Sequence, residues 1–206
     1  MRATKLALLG ALTIGLAACG SREDNAANND VPPGSLPANA MAANSMDNAM
    51  SGSMGNAMMS AAGATAALKT ATGAVAGTAK VHEVAGALSV QLTAEGMTPG
   101  DHGVHIHMTG KCEGPKFESA GGHWNPTSMK HGLDNPQGQH SGDMPNLTVG
   151  ADGKGTLTYS LKGGTLAELL DTDGAAFVIH AGKDDQKTDP AGASGDRVAC
   201  GVFNAG

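Results

Sequence analysis

The chain has 206 residues, a net charge of −6, 2% aromatic residues and 31 glycines. That length accommodates one ordinary domain with additions, and the acidic balance excludes a non-specific nucleic-acid binder, which needs surplus cations to meet phosphates. Few aromatics among many glycines suit a turn-rich β-protein rather than a helical bundle, with its core built from Val, Leu, Ile and Ala in the last two-thirds.

The first residues read as an export signal. Arg2 and Lys5 start it with positive charge, and Leu6 to Leu16 is almost wholly apolar yet too short to span a bilayer. Residues 1–18 form the expected leader. It ends in Leu16-Ala17-Ala18-Cys19-Gly20, which resembles the bacterial lipoprotein signal, in which the cysteine becomes the lipidated first residue. The alternative is a plain secretory leader with an incidental cysteine. Acyl chains on Cys19 would anchor the protein to a membrane of the cell envelope, in the periplasm, without spanning it.

Three cysteines leave an exported chain with one unpaired. If Cys19 carries lipid, Cys112 and Cys200 remain as a pair for an oxidising compartment. A bridge across their 88-residue separation contributes roughly 4–5 kcal/mol in the chain-entropy picture.

Residues 19–63 are rich in Asn, Ala, Ser, Gly and Met, carry Pro32-Pro33, and show neither helical nor strand period. They read as a disordered tether. Met41, Met46, Met50, Met54, Met58 and Met59 lie in it. Thioethers are soft ligands that favour cuprous ion, so a copper-collecting role stands beside that of a simple linker.

From Ala64 the texture changes, and residues 64–206 form the expected domain. Leu88-Ser89-Val90-Gln91-Leu92 alternates as a half-buried strand does. Leu147 to Val149 and Thr156 to Leu161 flank Asp152-Gly153, a hairpin signal. Leu166 to Leu170 has room for one or two helical turns, while Ala176 to His180 and Arg197 to Phe203 read as buried strands. Short strands with glycine-rich turns point to a sandwich or barrel.

Residues 108–145 have no convincing period, and a loop of that length inside a compact domain needs something to hold it down. Histidines supply it. His105 and His107, two apart, put both imidazoles on one face of an extended strand, and His180 ends another strand where it can meet them. Imidazole donors suit copper and zinc. His123, His131, His140 and Asp143 offer a second, four-donor set of the kind that closes a structural zinc site. Zinc and the cysteine pair are thus expected to order the loop by cross-links rather than by a core.

Gly103-Val104-His105-Ile106-His107 and Gly121-Gly122-His123-Trp124-Asn125-Pro126 resemble the copper,zinc superoxide dismutases. So do His131-Gly132, His140 to Asn146 and Asp196 to Val202, and the five-residue step from His107 to Cys112 looks like the bacterial branch. The resemblance runs from about residue 64 to the C-terminus. It implies an eight-stranded Greek-key β-barrel or sandwich with long metal-binding and electrostatic loops, and one copper and one zinc ion per subunit. It implies copper on His105, His107, His123 and His180, and zinc on His123, His131, His140 and Asp143, with His123 bridging the two.

It also implies that Asp184 links His105 to His131, against a reading as a solvated loop acid beside Asp185. Arg197 matches an anion-guiding arginine, against a reading as a salt-bridge partner, and His102 matches a structural position. His82 matches nothing and reads as a surface strand residue. The implied activity is dismutation of the superoxide anion, with His123 delivering a proton to the departing peroxide. Lys111, Lys116, Lys130, Lys183 and Lys187 are candidates for steering this anion. The rivals are a non-enzymatic copper-binding or buffering protein of the cell envelope, and a sandwich that keeps metals only for stability. No interface pattern is legible, so monomer and homodimer both stay open.

Overall fold

A computed structural model describes residues 62–206. The leader, Cys19 and the tether up to residue 61 lie outside the described residues. The first strand starts at Gly63, one residue before the expected boundary.

Nine strands are present among the described residues: β1 Gly63–Thr70, β2 Val75–Val84, β3 Ala87–Ala94, β4 Gly100–His102, β5 Val104–His107, β6 Leu147–Val149, β7 Gly155–Ser160, β8 Ala176–His180 and β9 Arg197–Ala205. Seven form one antiparallel sheet in the order β5-β8-β9-β1-β2-β3-β7, and β4 pairs with β6. β6 lies beside β7, and β4 runs on into β5 through Gly103, so the sheet curls back on itself. Counted with β4 and β5 as one run broken at Gly103, the expected eight strands are recovered. A side chain on Gly103 would meet Ser194 Oγ at 2.7 Å, so the break is fixed by a close approach of the chain.

The strands read from alternation are found where expected, as is one helical turn, α1 Leu166–Leu169. Thr165 caps that turn, accepting from the Glu168 N–H while the Glu168 carboxylate accepts from the Thr165 N–H. The interior is built mainly from small and branched side chains, among them Leu68, Val81, Val90, Leu92, Ile106 and Ile179, with Phe177 the largest that is fully buried.

The long loop differs from expectation in one respect: it has apolar anchors of its own. Trp124 and Met144 enter the main core. Phe117 and Ala120, on a 3-10 turn at Glu118–Ala120, join Ala176, Val178 and Cys200 in a second cluster on the outer face of the sheet, with Cys112 packed beside it. The disulfide Cys112–Cys200 runs through this cluster. Cross-links therefore act on a loop that already buries surface.

Candidate metal centre

Strand alternation decides which histidines meet. On β5, Val104 and Ile106 face the core, so His105 and His107 face outward under the loop. Opposite them on β8, Ala176 and Val178 face the same side, and a register shift between Ile179 and His180 turns the last residue toward the pair. Short bridges tie the loop down at the site, His105 with Asp143 and His107 with His123.

Among the described residues, four buried ring nitrogens have no hydrogen-bond partner: His105 Nδ1, His107 Nε2, His123 Nε2 and His180 Nε2. These four residues offer donor atoms within 4.8 Å of one another. An unmet buried acceptor costs about 1–3 kcal/mol, so four converging on one point describe a cation site. The opposite nitrogens fix the tautomers: His105 Nε2 donates to Asp184 Oδ2 at 2.6 Å, His107 Nδ1 to the Gly121 carbonyl at 2.9 Å, and His180 Nδ1 to the Gly195 carbonyl at 3.1 Å. His123 alone has its second nitrogen turned to another group of donors.

That second group gathers on Asp143 Oδ1, which lies 2.9 Å from His123 Nδ1, 3.1 Å from His131 Nδ1 and 3.4 Å from His140 Nδ1. The other carboxylate oxygen is held by the backbone N–H groups of Gly132, at 2.9 Å, and His140, at 3.0 Å. His105 also brings a donor atom within 4.8 Å of those of His123, His131 and Asp143. Its Nε2, however, is committed to Asp184, while His140 Nδ1 stands 3.4 Å from Asp143 Oδ1.

Asp184 joins the two groups. Fully buried, it accepts from His105 through Oδ2 and from His131 Nε2 through Oδ1 at 3.0 Å. Its backbone is clasped by the Asn146 side chain, which accepts from the Asp184 N–H at 2.8 Å and donates to its carbonyl at 2.9 Å. The solvated acid is its neighbour Asp185, which caps Lys187 and Thr188.

Burial pushes the His105 imidazole down to about 3, helped by the nearby His123 and opposed by the Asp184 hydrogen bond. Burial also holds His107 well below, and His123 below, the ordinary imidazole value, and lowers His180 to about 4. His131 goes the other way. Burial disfavours its charge, but Asp143 and Asp184 on either side outweigh burial and raise it to about 9. Burial opposes ionisation of Asp143 as well, yet the bonds from His123, His131 and His140 hold its carboxyl far below the usual range. The first group thus offers neutral lone pairs and the second a fixed anion, as metal binding requires.

A cavity of about 320 Å³ opens onto the first group, lined by His107, His123, His180, Pro190, Ala191 and Arg197 among others. Arg197 donates to the Phe117 and Gly121 carbonyls, both at 2.7 Å, and among the described residues it forms no ion pair. Its charge at the cavity wall therefore meets no carboxylate in direct contact, though Glu118 is near enough to act on it. A larger cavity of about 600 Å³ lies outside it and shares Arg197 but offers no imidazole. Three of the candidate steering lysines are paired with acids, Lys130 with Asp189, Lys183 with Asp101 and Lys116 with Glu118. Lys111 and Lys187 have no ion pair among the described residues.

His102 bonds to the His180 and Thr98 carbonyls, both at 2.7 Å, and stays out of both groups. His82 is a half-buried residue of β2. Sequence reasoning missed Asp189, which accepts from the His131 N–H at 2.9 Å, and Gly192, whose φ is +63°. A side chain at Gly192 would overlap Asp184 Oδ1 and His131 Nε2. An invariant need for glycine there has no signature in one sequence among so many glycines.

Comparison with known proteins agrees with this geometry. A family model described as copper/zinc superoxide dismutase matches residues 75–203. The superoxide dismutase-like protein YojM of Bacillus subtilis is 47% identical over 122 residues, which cover 56% of this chain and 62% of that protein. The copper-zinc superoxide dismutase of Caulobacter vibrioides is 44% identical over 147 residues, 68% of this chain and 84% of the relative. The solved Cu/Zn superoxide dismutase from Brucella abortus superposes with a TM-score of 0.57 at 32% identity, covering 69% of this chain and 99% of that structure.

Proposed function

This chain belongs to the copper/zinc superoxide dismutase family, and on that premise we propose which of its residues carry out the dismutation of superoxide to dioxygen and hydrogen peroxide. The observation that carries the assignment is His123, whose two ring nitrogens face two separate, buried donor groups. Copper is held by His105, His107, His123 and His180. Zinc is held by His123, His131, His140 and Asp143. When bound, copper supplies a reversible one-electron change, and zinc a fixed charge with no redox change of its own.

The residues around these groups do the rest. Asp184, Gly121 and Gly195 keep the protons of His105, His107 and His180 on the far nitrogens, so their lone pairs stay aimed inward. Asp143 holds the Nδ1 side of His123, which leaves Nε2 as the atom that takes up a proton and gives it to the departing peroxide. Arg197, anchored on two carbonyls, presents an unpaired charge to an incoming anion, and Pro190 and Ala191 narrow the approach. Lys111 and Lys187 add a local positive field to an acidic protein.

Replacement His123→Ala tests the bridging role. Turnover falls by most of its value while copper still binds through the three remaining imidazoles. Full turnover in that variant would remove His123 from the mechanism.

The same reading extends to the cell envelope. Residues 1–18 act as a leader, Cys19 carries lipid and the residues from there to the start of β1 hold the enzyme off a membrane in the periplasm. The apolar run ending at Cys19 supports this, and so does the Cys112–Cys200 disulfide, which suits an oxidising compartment. Mass spectrometry of the membrane fraction detects an acylated N-terminal Cys19 peptide, and a Cys19→Ser chain leaves that fraction. A Cys19→Ser chain that stays with the membrane contradicts the anchor.

A further inference from the structure

Outer partners orient the imidazoles of the two groups. His105 and His131 donate through Nε2 to Asp184, and His107 and His180 donate through Nδ1 to backbone carbonyls. His123 faces both groups. His140 is the exception: its Nδ1 stands 3.4 Å from Asp143 Oδ1, and its Nε2 has no hydrogen bond among the described residues. Asp189 Oδ1 lies 3.9 Å from that Nε2, about 1 Å beyond ordinary hydrogen-bond length. A neutral imidazole carries one proton, so a metal on Nδ1 leaves Nε2 as the donor and calls for an acceptor there.

Asp189 is already set in place for that role. Its Oδ1 accepts from the His131 N–H at 2.9 Å, and a carboxylate oxygen has room for a second bond. Its Oδ2 accepts from Lys130 Nζ at 3.0 Å, so both oxygens are held and Oδ1 stays turned toward the zinc group. The segment that carries it is pinned on either side. The Gly192 N–H donates to the Thr188 carbonyl at 2.7 Å, and the Asn135 side chain donates to the carbonyls of His131, at 3.0 Å, and Lys187, at 3.4 Å. Rotation about the broad terminal torsion of either side chain covers the distance still missing. Asp189 also directly precedes Pro190 and Ala191, which line the copper cavity together with His140. Water in that cavity is therefore the competing acceptor.

We infer that Asp189 is a positioning residue for the zinc group, its Oδ1 accepting from His140 Nε2 as Asp184 accepts from His131. This rests on the reading of His123, His131, His140 and Asp143 as the zinc ligands. The two acids divide the work. Asp184 touches one histidine of each group, so its loss reaches both metals. Asp189 touches His131 and His140 alone, so its loss weakens zinc and spares copper. The part played by Lys130 is to hold the far oxygen, which leaves the near one to the ligands. A neutral amide oxygen at the same place serves His140 nearly as well, because the role needs an acceptor rather than a charge.

The test uses the full chain loaded with zinc and cuprous copper, a diamagnetic form in which imidazole N–H protons are followed by nuclear magnetic resonance. In wild type both His131 and His140 show slowly exchanging Nε2–H signals. In Asp189→Ala the His140 signal is lost to exchange with water while that of His131, still held by Asp184, persists. Competition against a zinc chelator shows zinc affinity down about tenfold in that variant, with copper affinity within about twofold of wild type. Asp189→Asn retains the His140 signal and most of the zinc affinity, although it has lost the charge that pairs with Lys130. A His140 signal that exchanges fast in wild type, or is equally protected in Asp189→Ala, overturns the inference. So does loss of both signals together, which would make Asp189 an anchor of the loop and nothing more, and so does an Asp189→Asn chain as impaired as Asp189→Ala. A wild-type chain in which zinc leaves the His140 ring resonances unmoved overturns the assignment of the zinc ligands itself, and the role of Asp189 with it.

Discussion

Asp184→Asn replaces one of two accepting oxygens with an amide nitrogen that can only donate. In the native protein the carboxylate accepts from His105 Nε2 at 2.6 Å and from His131 Nε2 at 3.0 Å, with both side chains and the carboxylate fully buried. Charge-assisted bonds of this kind are each worth about 1.5–3 kcal/mol. The amide satisfies one imidazole and leaves the other facing N–H, so the loss falls mainly on one metal. Converted to affinity, it is roughly ten- to hundredfold, the scale seen when a ligand's supporting partner is removed. Asp184→Ala removes both acceptors and weakens both metals. Competition titration of copper and of zinc against chelators of known affinity reads the two sites separately. If Asp184→Ala binds both metals within twofold of wild type, the carboxylate orients neither ligand and the coupling of the two groups through Asp184 is wrong.

Gly192→Ala places a methyl where Asp184 Oδ1 and His131 Nε2 already sit, at a backbone φ of +63°. The backbone strain alone costs about 1–2 kcal/mol, and zinc affinity should fall at least tenfold; a variant with native zinc affinity refutes the close packing. Arg197→Met removes the unpaired cation and should lower the second-order rate with superoxide about ten- to hundredfold at low ionic strength, flattening its salt dependence, with copper content unchanged. A native rate and salt slope would take Arg197 out of anion capture. In the metal-free protein His131 is raised from 6.5 to about 9. A folded value above the unfolded one contributes stability that is full below pH 6.5 and is lost as pH rises through about 9. Zinc must displace that proton, so uptake at about pH 7.5 releases close to one proton, read from the buffer dependence of the calorimetric heat; no release would contradict the Asp143–His131–Asp184 chain of contacts.

What the sequence made legible follows residue type. β3, β7, β8 and β9 announce themselves through alternating or continuous Leu, Val, Ile and Phe. β1 and β2 do not, because their buried positions are largely Ala64, Ala66, Ala76 and Ala79, too small to mark a period, and a register shift between Leu68 and Lys69 interrupts the pairing. The candidate ligands were legible because the chain has only eight histidines and seven of them fall between residues 102 and 180. Their supports were not: the carbonyls of Gly121 and Gly195, the Asn146 clasp and the space left by Gly192 belong to backbone and tertiary packing. The loop's own anchors, Phe117 and Trp124, were hidden by the absence of periodicity around them.

Catalysed superoxide decay by the purified full chain, with bound copper and zinc quantified on the same sample, tests the central claim most directly. Rapid decay that requires copper, scales with copper content and slows as ionic strength rises is the expected result. One copper and one zinc per chain with no acceleration of decay would contradict it and leave a protein that holds copper without turning it over.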